Sequence, residues 1–215
     1  MTSNLFQEIL LSGASKLTVK QERIVEAAIQ LFAEKGYSNT STAEIAKAAE
    51  VSEASIFKQY GTKEKLLLHL LVPRVKEIFP VMAEEVIGSI VRTNSSLEGF
   101  LRAFIRNRVD FALENKDILR VLIKELIYKE ELKNDILPYL ADVAASRLIP
   151  VIELFQQRGE LIELPPAMLL KNLFTFVGGF FASRLVLLNQ DVIEDEEIEE
   201  AVRFLLRGIG NPSSI

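Results

Sequence analysis

The residues best suited to chemistry lie between Gly36 and Leu66. Two short helical segments, Thr42 to Ala49 and Glu53 to Gln59, are separated only by Glu50, Val51 and Ser52, and Thr62 can cap a longer helix entering Lys63. Short, short, then long is the spacing of a helix-turn-helix. Thr42 starts the supporting helix, Ile45 and Ala46 face inward, and Ala49 is small where two helices must cross. Val51 plugs the turn, and Ser52 offers an oxygen to cap the second helix. Such a second helix can lie in a DNA major groove and reach base edges. Its outer face would carry Glu53, Ala54, Ser55, Lys58 and Gln59, with Ile56 turned to the core. Gln59 can pair bidentately with adenine, Ala54 can touch a thymine methyl, and Ser55 can bond a base or phosphate. Glu53 is repelled by phosphate yet can accept from cytosine N4. Phe57 and Tyr60 bracket the helix end. The Tyr60 hydroxyl and the helix start at Lys63 are candidates for phosphate.

Other chemistry finds little support. His69 is the only histidine and there are no cysteines, so no thiolate metal site or disulfide framework exists. Glu84 with Glu85, and the acids from Glu194 to Glu200, lack a second His, Asp or Cys to complete a site, and solvated helix faces explain them. Gly178 and Gly179 lie inside an apolar helix with no preceding strand and no following Gly-Lys-Ser/Thr, so they predict close helix approach, not a phosphate loop. Neither an enzyme nor a cofactor is expected. Residues 1–71 hold eight bases and eight acids, and the net charge of -5 arises in the remainder. A few placed contacts must therefore supply DNA binding, with Lys16, Lys20 and Arg23 as further phosphate candidates.

The elements carrying these residues read as helices throughout. Ile24, Ala28, Leu31 and Phe32 fall at i, i+4, i+7 and i+8 in a helix over 21–35, closed by Gly36 at a position suited to positive φ. Pro73 and Pro80 are expected to kink or interrupt the helix from Lys63, and Pro138 and Pro150 to complicate one over 134–158. Leu97, Phe100, Leu101, Phe104, Ile105, Phe111 and Ala112 form one apolar stripe, and Ile198, Ala201, Val202, Leu205 and Leu206 another. The pattern predicts an all-α protein of about nine helices. No stretch reaches roughly 18 uncharged apolar residues, so no spanning helix is expected, and the apolar patch near the start does not read as a signal peptide.

The stretch from about Thr18 to Leu71 resembles the DNA-binding domain of the TetR/AcrR family of transcriptional regulators. The matching residues are Leu31 through Tyr37, then Thr40, Ile45, Ala46, Ala49, Val51 and Ser52, then Ile56, Phe57, Tyr60, Lys63, Glu64 and Leu66. Glu50 stands where the family commonly has glycine, Phe57 where many members have a phosphate-contacting tyrosine, and Gln59 where an aromatic or histidine is frequent. On this resemblance the DNA-contacting set is Thr40, Thr42, Ser52, Glu53, Ala54, Ser55, Phe57, Lys58, Gln59, Tyr60 and Lys63. The family also implies a homodimer, a helical carboxy-terminal ligand domain and release from an operator when a small molecule binds.

The expected organisation is an arm over 1–17, a three-helix DNA-binding domain over 18–71, and a ligand-binding and dimerisation bundle over 72–215. Phe100, Phe104, Phe111, Tyr128, Phe155 and Phe174 are the candidate lining of a pocket for a small apolar effector. The segment Leu169 to Leu188 is apolar nearly all round, so with the last helix it is expected to form a homodimer contact. The reading is a cytoplasmic repressor released from palindromic operator DNA. Its alternative is a helical small-molecule carrier or sensor that no longer reads DNA.

Overall fold

The computed structural model describes residues 18–211, so the expected amino-terminal arm and Lys16 lie outside the described residues. Among the described residues, nine α-helices follow one another: α1 Val19–Lys35, α2 Thr42–Ala48, α3 Glu53–Tyr60, α4 Lys63–Thr93, α5 Leu97–Glu114, α6 Lys116–Tyr128, α7 Glu130–Gln157, α8 Pro166–Phe181 and α9 Asp195–Ile209. A π-helical stretch, Ala182–Leu187, continues α8. Among the described residues, β pairing is limited to one isolated bridge, Leu161 to Gly210. The all-α expectation holds.

The chain divides into two compact units, residues 18–79 with Glu114–Ile136, and Pro80–Leu113 with residues 137–211. In the first, Ile24, Ala28 and Phe32 of α1 pack with Ile45, Ala46, Ile56, Leu66, Leu67 and Leu71. Ile118 of α6 is buried in the same cluster with Val121 against it, which is why residues beyond 71 group here. Thr18 and Gln21 form a reciprocal cap at the start of α1, so this helix begins two residues before the expected Gln21.

In the second unit, α5 contributes Leu97, Phe100, Leu101, Phe104 and Val109 to a core shared with Leu148, Ile152 and Phe155 of α7, Leu169 and Leu173 of α8, and Ile198 and Val202 of α9. The acidic start of α9 is paired as well as solvated. Asp195 meets Arg106 at 2.8 Å, Glu197 meets Arg184 at 2.7 Å, and Glu199 meets Arg102 at 2.8 Å.

The prolines do not interrupt the helices: Pro73 and Pro80 lie within α4, and Pro138 and Pro150 within α7. A proline removes one donor and leaves the carbonyl four residues earlier without its usual partner. Pro73, Pro138 and Pro150 are exposed, where water can serve that carbonyl. The membrane-length expectation also changes, because Pro166–Leu187 is long and apolar enough to span by length and composition. Within it Leu169, Leu170, Leu173, Phe180 and Leu185 are buried, whereas Phe174 and Leu187 are exposed. Close helix approach at Gly178 and Gly179 is not found within the chain, since a Cβ at either would meet nothing within 4 Å.

Candidate nucleic-acid interface

The turn between α2 and α3 sets the angle at which α3 is presented. Val51 N–H donates to Ala46 O at 3.0 Å and Glu50 N–H to Lys47 O at 3.3 Å, the paired bonds of a Schellman closure. That closure puts one residue in the left-handed region, and here it is Glu50, at φ 54°. Glycine has no Cβ to crowd there, so the departure at Glu50 is a real local strain. The Glu50 carboxylate lies 3.4 Å from the Arg23 guanidinium, an exposed pair that offsets little of that strain. At the far end of α3, Gly61 takes φ 82° and turns the chain into α4.

Upstream, Ser41 and Glu44 cap α2 reciprocally. The hydrogen bond from the Lys35 ammonium, with those from Ser41, holds the Glu44 carboxyl down to about 2. Thr62 caps α4 as expected, accepting from Lys65 N–H at 3.2 Å. Ser52 does not cap α3. Its hydroxyl instead pairs with the Ser55 hydroxyl at 2.7 Å.

The outer face of α3 leaves Glu53, Ala54, Phe57, Lys58 and Gln59 exposed, with Ser55 half-buried and Ile56 in the core. The Thr42 hydroxyl donates to Glu53 Oε1 at 2.5 Å, tying the acid to the start of α2. Lys20 Nζ donates to Ser55 Oγ at 3.0 Å, adding a cation from α1 to this face. Gln59 Nε2 donates to the Tyr60 hydroxyl at 3.1 Å. Thr42, Ser52, Glu53, Ala54, Ser55, Phe57, Lys58 and Gln59 thus occur together around one helix.

Thr40, Tyr60 and Lys63 serve inward instead. Thr40 is 1% exposed, and its hydroxyl donates to Leu31 O and Gly36 O, bracing the α1–α2 loop. Lys63 Nζ donates to Tyr37 O at 3.0 Å and Thr40 O at 2.9 Å, and lies over the Tyr37 ring. Tyr60 is buried with its ring against His69, and burial raises its phenol pKa. The Thr40 hydroxyl and the Lys63 ammonium are thus held by main-chain carbonyls, whereas the Tyr60 ring packs inward and its hydroxyl accepts from Gln59.

Residues 24–70 match the family described as bacterial regulatory proteins, tetR family. That stretch is a DNA-binding domain of the TetR type. This regulator is 25% identical over 190 residues to YvkB of Bacillus subtilis strain 168, described as an uncharacterized HTH-type transcriptional regulator, and the match covers 87% of this chain and 96% of that one. Among solved structures it is similar to Thermus thermophilus FadR, a TetR-family transcriptional repressor in complex with lauroyl-CoA, at 26% identity and a TM-score of 0.55 over 87% and 94% of the two chains. A TetR-family regulator from Pseudomonas syringae pv. tomato shares the fold at 23% identity and a TM-score of 0.55 over 90% and 98%.

Of the six aromatics expected to line a pocket in this regulator, three pack against one another. Phe100, Phe104 and Phe155 are buried together, with ring centroids 5.9 Å and 5.6 Å from Phe100. The void beside Phe100 and Phe155 is only about 20 Å³, so in this state they are packed core. Phe111 is half-buried beneath the Arg108 guanidinium at 5.1 Å. Phe174 is 43% exposed, and Tyr128 is 79% exposed and belongs to the other compact unit. Stripe periodicity finds apolar faces but not which aromatic meets a neighbour. Among the described residues no three His, Asp or Glu side chains gather as a metal site.

This geometry makes three predictions. Glu50→Gly relieves the left-handed strain and should stabilise the regulator by about 1 kcal/mol, raising its Tm by roughly 2–4 °C; a lower Tm would contradict the turn assignment. Lys63→Met strips the donor from two loop carbonyls and should cost about 1–3 kcal/mol in urea unfolding. Lys58→Ala should leave stability within ~0.5 kcal/mol and weaken DNA binding at every sequence, while Gln59→Ala relaxes preference at one base pair.

Proposed function

We propose that this regulator is a cytoplasmic homodimeric repressor that occupies a palindromic operator and is released by a small effector with a large apolar part. The observation carrying the reading is the polar outer face of α3, exposed on a helix whose inner face, at Ile56, is 1% exposed. Ala54, Ser55, Lys58 and Gln59 would read bases and phosphates in the major groove, with Thr42, Ser52, Glu53, Phe57 and Lys20 around them. On this reading residues 18–71 bind DNA and residues 72–215 bind effector and dimerise. It assigns the chain no catalytic reaction.

Dimerisation is assigned to α8 and α9. Phe174 and Phe204 are 43% and 65% exposed, and Gly178 and Gly179 leave the α8 backbone open to a close neighbour. An open groove of about 550 Å³, lined by Phe176, Gly179, Arg184 and Phe204 among others, runs along these helices. A two-fold contact through this surface would set the distance between two α3 helices at one DNA turn, ~34–36 Å. The lauroyl-CoA bound by the Thermus relative supports an effector with an acyl chain. Because the void beside Phe100 and Phe155 is small, binding there must open it, and α4, unbroken from Lys63 to Thr93, would carry the change. A coupling of ~1–3 kcal/mol would lower operator affinity ~5–150-fold.

Selection from random duplexes with the folded, dimeric protein tests this directly. A palindrome with two half-sites is expected; no enriched half-site at low salt would leave the carrier reading, which the neutral charge balance of residues 1–71 favours. Gly179→Arg, at an exposed helical position, should abolish the dimer in sedimentation and the tight operator complex with it. Retention of both would remove α8 from the interface.

A further inference from the structure

One cation of α5 stands where the helix turns its apolar face inward. Leu97, Leu101, Phe104, Arg108 and Phe111 fall at i, i+4, i+7, i+11 and i+14, and Leu97, Leu101 and Phe104 are all buried. Arg108 is half-buried. Loss of hydration lowers its guanidinium pKa to about 10, the direction expected of a cation withdrawn from water.

The cations around it are compensated. Arg102 meets Glu98 and Glu199, Arg106 meets Asp195, Arg147 meets Glu84 and Arg184 meets Glu197. Arg108 forms no ion pair among the described residues. Its Nε donates to Asn107 Oδ1 at 3.1 Å, its Nη2 donates to the same oxygen, and its plane lies over Phe111. A neutral amide uses two of five N–H donors and supplies no charge. Among the described residues Nη1 donates to no acceptor, which leaves its two N–H groups for an incoming group. A guanidinium on a core face without an acid is poor design for stability and good design for gripping a planar anion.

We propose that Arg108 anchors the headgroup of the effector, which is an amphipathic anion: an acyl chain ending in a carboxylate or phosphate. This inference rests on the effector-binding part of the proposed function and deepens it by adding a charge to an apolar molecule. The tail has a track to follow. Seven residues separate Arg108 from Leu101, roughly 10 Å along the helix, and Leu101 borders the void of about 20 Å³ beside Phe100, Phe155 and Leu173. That void holds no more than about one water, so the tail enters by spreading α5 from α7 and α8.

Calorimetric titration of the full-length protein without DNA, using decanoate, decanoyl-CoA and decanol, tests the proposal. At least one anion should bind ten-fold or more tighter than decanol. Arg108→Met should weaken that anion 10–100-fold and leave decanol within threefold, while Arg108→Lys restores part of the loss. Decanoate binding identifies the carboxylate as the recognised group; binding of decanoyl-CoA alone identifies phosphate. Thermal unfolding of Arg108→Met should show no loss of stability, and Arg108→Gln replaces it should the methionine variant misfold. Equal affinity for decanol and the anions, no binding of any, or unchanged anion affinity in both variants would overturn the assignment. A gel shift on the selected operator separates the two readings, because an anion that binds through Arg108 yet never releases DNA leaves this site standing and removes the ligand-released repressor.

Discussion

The sharp reversal between α2 and α3 is the constraint on which the DNA-binding end depends. Four residues, Ala49 to Ser52, turn the chain, Ala49 is small enough for the helices to cross, and Glu50 accepts a left-handed backbone to close α2. Helices of seven and eight residues would be marginal alone. They persist because Ile45, Ala46 and Ile56 are buried against α1 and the start of α4. Lys63 then ties the α1–α2 loop to α4 through the carbonyls of Tyr37 and Thr40, and the Thr40 hydroxyl braces that loop on Gly36 and Leu31. The result is a stiff base from which the polar side of α3 projects, so base contacts need little further ordering when DNA arrives.

Charge matters differently in the two units. Residues 1–71 are neutral overall, so little affinity comes from attraction to any duplex, and specificity must come from contacts at defined places. In the second unit Arg108 stands on an apolar helix face, while Arg102, Arg106, Arg147 and Arg184 are paired with acids. Around Phe100 and Phe155 the packing is tight, with a void of only about 20 Å³. A ligand that enters must displace side chains, which is what links occupancy to a change of shape.

Much of this was legible in the sequence because helical periodicity and turn residues are local signals. The stripe from Ile24 to Phe32, the crossing at Ala49 and the positive φ at Gly36 all follow from spacing and side-chain size. What escaped was decided by distant partners. Nothing near Thr40 or Lys63 shows that carbonyls of the α1–α2 loop will claim their donors, and nothing near Tyr128 shows that α6 packs with the first unit. The prolines of α4 and α7 warned of breaks, yet tertiary packing and hydrated carbonyls carry the helices through them. Arg108 did leave a signal, a cation in register with Leu97, Leu101 and Phe104, visible once the stripe is extended past Phe104.

The central claim is that α3 enters the major groove with its exposed edge toward the bases. Dimethyl sulfate protection of guanine N7 on a selected duplex measures this at the groove itself. The account predicts protection in two half-sites with centres about one helical turn, ~10–10.5 base pairs, or a multiple of it apart, weakened at a single position in each by Gln59→Ala. Full complex formation with every N7 still reactive would contradict it.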